Sequence, residues 1–267
     1  MIILSGKEVK PSLLALACSD SNLPKLSFYL YSDKDSFPSF YYLKGIKKIL
    51  TELNIPFTEG FLDKNDKEEN NLARFKEEEK GKYVIVARPL GISYEDKFLS
   101  LIDPSYDPDM MTTINKGKLY SGDLNYLPAT AKSVKEILKF FKLDIASKKC
   151  LVLGRSLTVG LPLAELVNKG NGLLVLAHSK VSSVMLNKEA KEADFIFLAT
   201  GKPSLISRES FNPQQVVIDC GFSKGGGDLG FVPNDDELSS YTPVPGGVGV
   251  LTSICLILNA LFLEKNH

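Results

Sequence analysis

One stretch, from Cys150 to Lys180, constrains the fold of this 267-residue chain more than any other. Cys150–Leu153 is a short apolar run typical of a buried parallel strand, and Gly154 ends it where the backbone must turn into a helix. Gly160 follows six residues later, and two glycines at this spacing let the helix start close to the sheet. The middle glycine of the usual dinucleotide-binding fingerprint is missing, because Ser156 stands there. The stretch still predicts strand, turn, helix and strand, with free backbone N–H groups aimed at a pyrophosphate.

The end of the second strand indicates which dinucleotide to expect. After Leu173–Ala177, an NAD-specific unit normally offers an acidic side chain to the ribose 2′-hydroxyl. This chain has His178, Ser179 and Lys180 there, and Arg155 lies beside the turn. Because these groups suit a 2′-phosphate, we expect NADP rather than NAD as the cofactor. The alternative is that Arg155 and Lys180 are ordinary surface cations.

The composition excludes several classes of protein. Hydrophobic residues make up 44% of the chain and charged residues 24%, which is typical of a soluble globular protein. The 32 basic and 32 acidic residues cancel, so neither nucleic acid nor a membrane is an expected partner. The four cysteines lack CxxC spacing and three lie in apolar runs, which indicates neither disulfides nor a metal site. The opening does not follow the signal-peptide pattern, so the cytoplasm is the expected location.

Apolar runs alternating with helical patterns predict an α/β fold with a doubly wound parallel sheet. Strands are expected at Lys25–Tyr31, Phe57–Leu62, Tyr83–Val86, Cys150–Leu153, Leu173–Ala177, Asp194–Ala199 and Val216–Asp219, and helices at about Ser39–Leu53, Asp63–Lys82, Ala131–Phe141 and Val248–Leu263. The turns that begin at Thr200 and Cys220 then fall at the carboxyl ends of strands, where such sheets bind ligands. The glycines of Tyr241–Gly249 allow the backbone to approach a flat ligand.

Five segments in order give the chain a family resemblance: GRSLTVGLPLAELV, HSK, ADFIFLATGKPSLI, VVIDCGF and TPVPGGVGVLT. The chain resembles the methylenetetrahydrofolate dehydrogenase/cyclohydrolase family. The resemblance implies a Rossmann-like NAD(P)-binding domain at residues 118–240. It also implies an α/β folate-side domain, residues 1–117 and 241–267, completed by the C-terminal helix. A reduced folate as substrate, an active site between the domains and a homodimer are further implications.

In the second half the resemblance carries the family's site residues directly onto this sequence. Pro245, Gly246 and Gly247 would meet the folate. The cofactor-binding positions that the resemblance implies are Gly154, Arg155, Ser156, Gly160, His178, Ser179, Thr200, Gly201, Gly221, Phe222, Gly247 and Thr252.

In the first half the sequence departs from the family at two positions. The family pattern SxxYxxxK begins at Ser39 and has its tyrosine at Tyr42, but Ile46 occupies the lysine position. The glutamine of a VQLP-like strand end falls on Ala87, while the aspartate of a DVDG-like loop is kept as Asp109. The resemblance makes Tyr42 and Asp109 catalytic, and it places Tyr42, Ala87 and Asp109 against the folate.

Tyr42 would stack on or hydrogen-bond the folate, and Asp109 would accept hydrogen bonds from the pterin. The alternatives are a half-buried aromatic for Tyr42 and a turn-forming aspartate after Pro108 for Asp109.

Helical geometry indicates that no neighbouring lysine side chain points in the direction of the missing one. Lys44 and Lys48 lie about 200° round the helix from Ile46, and Lys47 lies about 100° away. Arg88 follows Ala87, but successive strand residues face opposite sides, so its participation would require an irregular backbone.

Ring opening by water requires a positioned proton-transfer group, which Ile46 does not provide. We therefore expect an NADP-dependent dehydrogenase with weakened or absent cyclohydrolase activity. The alternatives are a full bifunctional enzyme with a base recruited from elsewhere, and a non-catalytic NADP-binding relative.

Overall fold

The computed structural model describes residues 1–221 and 226–266, apart from the side chain of Pro38. It divides into two compact units, which we call the six-stranded unit (residues 1–12 and 130–252) and the three-stranded unit (residues 13–129 and 253–267). These divisions fall at 130 and 252, whereas the domains that the resemblance implies, with boundaries at 118 and 240, stay a prediction. Residues 1–12, which were expected on the folate side, cluster with the six-stranded unit.

Strands and helices alternate along most of the chain. The strands are β1 (Ile2–Ile3), β2 (Phe28–Ser32), β3 (Phe57–Phe61), β4 (Tyr83–Ala87), β5 (Lys149–Leu153), β6 (Leu173–Ala177), β7 (Phe195–Leu198), β8 (Val216–Asp219) and β9 (Ser240–Tyr241). The helices are α1 (Gly6–Cys18), α2 (Phe37–Glu52), α3 (Glu68–Glu78), α4 (Glu95–Leu101), α5 (Thr113–Tyr120), α6 (Ala129–Phe140), α7 (Gly160–Lys169), α8 (Ser183–Glu192) and α9 (Thr252–Lys265).

The larger sheet confirms the predicted doubly wound architecture. Its strand order is β1-β9-β8-β7-β5-β6, and every pairing among the described strands is parallel. The chain passes from β5 to β6 on one side and then returns to place β7 on the other side of β5. The strand order therefore reverses between β5 and β7, and ligands bind at such points outside the carboxyl ends of the strands.

The smaller sheet is also parallel, with the order β3-β2-β4, so its strand order reverses between β2 and β4. All five residues of β2 are buried. On one face, aromatic rings from the sheet and two helices pack together: the Tyr31 ring centroid lies 5.0 Å from that of Phe75 and 4.9 Å from that of Phe98. This core holds α3 and α4 against the sheet.

Helix α9 completes the three-stranded unit from residue 253 onward, as expected for the C-terminal helix. It is buried along most of its length, and its polar residue Asn259 is fully buried too. The Asn259 amide donates to the backbone oxygens of Pro108 (2.8 Å) and Leu127 (3.1 Å). A buried amide needs such partners, so Asn259 ties the loop that carries Pro108 to the helix.

Some expectations need correction at the residue level. Helix α2 begins at Phe37 rather than near Ser39, because the Ser36 side chain accepts from the Ser39 amide and caps the helix there. Cys18, which ends an apolar run, is exposed, whereas Cys150 and Cys255 are buried.

Within residues 1–221 and 226–266, no helix is long and apolar enough to cross a membrane, and no group of His, Cys, Asp or Glu could hold a metal ion.

Candidate functional site

The turn after β5 has the geometry of a phosphate-binding turn. Gly154 has φ +141°, and a Cβ built there would lie 2.2 Å from the backbone oxygen of Ala199. A Cβ at Gly160 would lie 2.3 Å from the Gly154 oxygen. Both positions therefore require glycine, because α7 packs directly on the turn and the turn packs on the chain leaving β7. This close approach occurs at the point where the strand order reverses.

Ser156 has a second role that the sequence pattern did not reveal. Its hydroxyl accepts from the amides of Val159 (3.1 Å) and Gly160 (3.2 Å), and its carbonyl accepts from the amide of Leu161 (3.0 Å). The first amides of α7 are thus already bonded, which corrects the expectation that they stay free for a pyrophosphate. The amides of residues 155–158 find no acceptor among the described residues. These preceding amides are the ones left without a partner among the described residues, as an anion-binding concavity requires.

The ends of β5 and β6 bring the predicted 2′-phosphate contacts to one edge. Leu153 and Ala177 are register partners, so Arg155 and the His178–Lys180 segment leave the sheet at the same edge. Arg155 is exposed, whereas Ser179 is half-buried. The Nδ1 atom of His178 accepts from the Lys180 amide at 3.2 Å and so shapes this turn.

Two aspartates hold the turns after β7 and β8, and sequence reasoning missed both. The Asp228 carboxylate accepts from the Thr200 amide (2.6 Å), the Thr200 hydroxyl (2.9 Å) and the Gly201 amide (3.0 Å). Asp219 accepts from the amides of Gly221 (2.8 Å) and Asp228 (3.0 Å), and burial raises the pKa of its carboxyl. The available sequence signal was the position of Asp219 at a strand end.

Thr200, Gly201 and Gly221 are therefore brought together at the carboxyl edge. Phe222, the remaining predicted residue of this segment, lies outside the described residues.

The PGGVG loop is held by the first residues of the chain. The Gly6 amide donates to the Gly246 oxygen at 2.9 Å, and the Gly247 amide donates to the Pro243 oxygen at 2.7 Å. Gly246 has φ +118°, and a Cβ at Gly6 would lie 2.2 Å from the Gly247 oxygen. The glycines thus permit backbone-to-backbone packing of Gly6 on the loop, which leaves Pro245 exposed.

Thr252 stands at the other end of this segment. Its hydroxyl donates to the Gly249 oxygen at 3.1 Å at the start of α9.

In the three-stranded unit, Tyr42 and Asp109 contact each other, which the sequence analysis did not predict. The Tyr42 hydroxyl donates to Asp109 Oδ2 at 3.1 Å, and both side chains are half-buried. The alternative role of a turn-forming aspartate falls instead on Asp107. Its buried carboxylate accepts from the amides of Met111 (3.0 Å) and Thr112 (2.7 Å). Because Asp107 organises the loop, the Asp109 carboxylate is available to Tyr42 and to a ligand.

Burial makes this pair hard to ionise. It raises the pKa of Asp109 to about 6, and the negative charge of Asp107 acts in the same direction. The Tyr42 hydrogen bond and the positive charge of Arg88 lower the Asp109 pKa. Burial and the Asp109 charge raise the pKa of Tyr42 well above its ordinary value. Tyr42 therefore acts as a hydrogen-bond donor, and Asp109 becomes a carboxylate only near neutral pH.

The two positions where the chain departs from the family pattern are closed to solvent. Ile46 and Ala87 are each fully buried. Lys44 and Lys48 are exposed, and the Lys47 ammonium pairs with the Glu59 carboxylate at 2.6 Å. The lysines around Ile46 therefore do not supply an ammonium to the side of α2 that carries Tyr42, as the helical geometry predicted.

Arg88 departs from its expected orientation. Strand β4 ends at Ala87 and Arg88 lies in a bend, so the alternation of strand side chains does not apply to it. The Ser39 hydroxyl donates to the Ala87 oxygen at 3.0 Å, which fastens α2 to this strand end. The positive charge of Arg88 lowers the pKa of both Tyr42 and Asp109. The irregular backbone that its participation would require is therefore present.

Comparisons with known proteins agree with this geometry. Residues 128–267 match the sequence model of the tetrahydrofolate dehydrogenase/cyclohydrolase NAD(P)-binding domain. The chain is 33% identical over 253 residues to the bifunctional protein FolD of Clostridium botulinum, covering 92% of this chain and 88% of that protein.

Solved structures of FolD proteins are also similar to this chain over nearly its whole length. The bifunctional FolD of Campylobacter jejuni superposes with a TM-score of 0.90 at 26% identity, covering 100% of this chain and 99% of that one. The FolD of Trypanosoma brucei, solved with NADP and an inhibitor, superposes with a TM-score of 0.83 at 25% identity over 98% of this chain and 93% of that one. The chain therefore belongs to the tetrahydrofolate dehydrogenase/cyclohydrolase family.

Proposed function

We propose that this protein oxidises 5,10-methylenetetrahydrofolate to 5,10-methenyltetrahydrofolate by hydride transfer to NADP. The observation that carries the proposal is the retention of a glycine-dependent phosphate turn together with a hydrogen-bonded Tyr42–Asp109 pair. Relatives that cover most of the chain are named bifunctional FolD proteins, and the Trypanosoma brucei structure contains NADP. The absence of an acidic side chain at His178–Lys180 supports NADP over NAD.

The residues of the chain would mainly bind and orient. The unbonded amides of residues 155–158 would hold the pyrophosphate, with Arg155 and Ser179 directed to the 2′-phosphate. NADP, when bound, supplies the hydride acceptor, C4 of its nicotinamide. The folate's own nitrogens stabilise the cation that remains, so positioning of the two rings accounts for most of what the protein contributes.

On the folate side, the Asp109 carboxylate would accept hydrogen bonds from the amino and ring N–H groups of the pterin. The Tyr42 hydroxyl would hold Asp109 in place through the 3.1 Å hydrogen bond. Pro245, Gly246 and Gly247 would offer a side-chain-poor surface to the flat ring system.

Weak or absent cyclohydrolase activity is the second part of the proposal. Ring opening needs a group that accepts and returns a proton, which typically contributes 10²–10⁴-fold. Ile46 carries no such group, and the guanidinium of Arg88 does not deprotonate in proteins. The high pKa of Tyr42 makes its hydroxyl a poor base at neutral pH.

One observation favours the full bifunctional enzyme as a second candidate function. Lys116, on α5, is half-buried, and burial followed by the charge of Arg88 lowers the pKa of its ammonium. Its ammonium has no hydrogen bond or ion pair within the described part of the chain. A lysine of this kind is suited to general-base chemistry. Rapid hydrolysis of the methenyl compound that Lys116→Met abolishes would favour this candidate.

The dehydrogenase proposal is tested by following NADPH formation from methylenetetrahydrofolate, with NAD assayed in parallel. We expect kcat/KM to be at least about tenfold higher with NADP, the equivalent of about 1.4 kcal/mol. No reduction of either nucleotide at saturating folate would reject the dehydrogenase and leave a non-catalytic NADP-binding relative. A preference for NAD would reject the cofactor assignment alone.

A homodimer built on strand β6 is also part of the proposal. Among the described strands β6 has a single neighbour, β5, so its other edge presents unpaired backbone groups. Leu173 and Leu176 on this strand are 63% and 43% exposed, and Val184 and Met185 of α8 are 79% and 59% exposed. An exposed edge with adjacent apolar side chains supports pairing with the same edge of a second copy.

A further inference from the structure

Within residues 1–221 and 226–266, the half-buried cation Arg88 has no tight ion pair. Its guanidinium lies 3.5 Å from a carboxylate oxygen of Glu95 and 3.5 Å from one of Asp96, and its side chain is 27% exposed. Arg208, by contrast, makes two short contacts with Glu237, at 2.5 and 2.7 Å. Contacts near 3.5 Å contribute little as hydrogen bonds, so most of the five N–H donors of Arg88 remain available.

The position of Arg88 follows from the topology. It leaves β4 where the strand order β3-β2-β4 reverses, and ligands bind at such points. The Ser39 hydroxyl, bonded to the Ala87 oxygen, joins this strand end to α2 one turn before Tyr42. Tyr42 in turn donates to Asp109. These contacts link the strand end that carries Arg88 to α2, and α2 to the loop that carries Asp109.

The charged groups around Arg88 come from every neighbouring element. Helix α2 supplies Tyr42, the start of α4 supplies Glu95 and Asp96, and α5 supplies Lys116. The loop before α5 supplies Asp107 and Asp109. Arg88 acts electrostatically on Tyr42, Asp109 and Lys116. Asp107 also acts on Asp109 and raises its pKa.

We propose that Arg88 is the positioning residue of the folate site, whose fixed positive charge keeps the Asp109 carboxylate ionised and ready to accept hydrogen bonds from the pterin. This inference rests on the proposed function, because it takes Asp109 as the pterin contact. Without a cation nearby, a half-buried carboxylate beside Asp107 would hold its proton more tightly. A protonated Asp109 would offer the pterin's N–H groups a weaker acceptor.

The choice of arginine has a chemical consequence. Its guanidinium provides charge without taking up a proton. Arg88 therefore supplies positive charge that acts on Tyr42 and Asp109, but it does not replace a lysine in proton transfer. A site of this kind favours folate binding and hydride transfer over ring opening.

Two variants test the proposal. Arg88→Gln removes the charge while keeping length and hydrogen-bonding capacity, and Arg88→Lys keeps the charge. Binding of tetrahydrofolate is measured by calorimetry as a function of pH, together with kcat and KM for NADP reduction. In the wild type we expect folate affinity to fall as pH drops through about 6, where Asp109 takes up a proton.

We call this fall in folate affinity at low pH the acid limb. Arg88→Gln should move the acid limb to higher pH by about one unit, because an adjacent arginine lowers the pKa of an aspartate by about that much or more. At neutral pH its KM for folate should rise about tenfold while kcat changes less than about threefold. Arg88→Lys should restore the wild-type acid limb. Lys48→Met, a charge loss at an exposed position of α2, should leave the acid limb unchanged.

An unmoved acid limb in Arg88→Gln, or equal behaviour of the Gln and Lys variants, would overturn the inference. If Arg88→Gln fails to fold, Arg88→Lys decides, because an acid limb shifted as far as one unit in that variant contradicts a role for charge. Folate binding without NADP reduction would reject the proposed dehydrogenase while the binding data still test Arg88. No folate binding in the wild type would overturn both.

Discussion

The charge that Asp109 needs for its proposed role lowers the stability of the folded chain. Burial and the neighbouring charge of Asp107 raise its pKa to about 6, above the ordinary aspartate value. The folded chain therefore holds a proton on Asp109 over a pH range in which the unfolded chain has lost it. Between roughly pH 4 and 6, the contribution of this group to stability is lost as the pH rises.

We expect Asp109→Asn to be more stable than the wild type above pH 6, by about 1–3 kcal/mol in the absence of ligands. The gain should disappear below about pH 4, where the wild-type carboxyl is protonated in both states. Urea unfolding of both proteins across a pH series measures the difference. Asp235→Asn, at an exposed position, is the control. A wild type more stable than Asp109→Asn at neutral pH would contradict the assignment.

Ile46 is the residue on which the loss of ring-opening activity depends. Because Tyr42 and Ile46 are four residues apart on α2, a lysine at 46 would lie on the same helix face as Tyr42. Ile46→Lys should raise methenyl hydrolysis at least about tenfold, and its burial should reduce the free energy of unfolding by about 1–3 kcal/mol. Ile46→Met, of similar length and uncharged, should show neither gain nor large loss. Equal hydrolysis rates in the two variants would show that the missing lysine is not limiting.

At the residue scale, the sequence predicts contacts that depend on spacing and misses those that depend on tertiary approach. The helical angles place the lysines of α2 correctly, whereas the hydrogen bond between Tyr42 and Asp109, 67 residues apart, was not predicted. Arg88 was assigned the wrong orientation because periodicity does not reveal where β4 ends. Asp228 was missed because its partner, Thr200, is 28 residues away and no local pattern joins them.

At the element scale, strand β1 helps to position the PGGVG loop. Ile2 and Ile3 pair in parallel with Ser240 and Tyr241, and this pairing brings the Gly6 amide to Gly246. Elements outside the proposed binding surface thus determine where the loop lies. Helix α1 and β1 were not predicted. Two strand residues are too few for a periodic signal, and Pro11 lies inside α1, where a proline usually indicates a helix end.

Gly6→Ala should disturb the loop from a distance. The added methyl group would meet the Gly247 oxygen, so the backbone must shift. We expect KM for folate or NADP to rise several-fold and the free energy of unfolding to fall by more than about 1 kcal/mol. Gly117→Ala is a matched control on α5, where the new Cβ meets nothing within 4 Å. It should be neutral or stabilising by about 0.5–1 kcal/mol. Unchanged kinetics in Gly6→Ala would argue against a supporting role for β1.

The central strands were predicted well for a physical reason. Strands of a parallel sheet are buried on both faces and read as continuous apolar runs, as in β4, β5, β7 and β8. Helix ends were predicted less well, because they depend on a few local hydrogen bonds to residues such as Ser36 and Ser156, which apolar periodicity does not reveal. The charged stretch at residues 63–82 yields the shorter helix α3, which begins at Glu68.

At the scale of the whole molecule, the proposed dimer depends on the apolar edge at β6. Leu173→Lys combined with Leu176→Lys should convert a dimer into a monomer, because two like charges would face each other across the symmetric contact. Light scattering coupled to size-exclusion chromatography measures the mass. Ile114→Lys, also at an exposed apolar position, is the control and should leave the dimer intact. A monomeric wild type, or a dimer unaffected by the double substitution, would contradict an interface at β6.

Hydride transfer with weak or absent ring opening is the activity proposed for this chain. It is tested most directly by incubating the wild type with methylenetetrahydrofolate and NADP and quantifying NADPH, methenyltetrahydrofolate and formyltetrahydrofolate over time. We predict that NADPH and the methenyl compound appear in equal amounts, and that formyl product forms no faster than in the absence of protein. No NADPH, or formyl product appearing at the rate of NADPH, would contradict the claim.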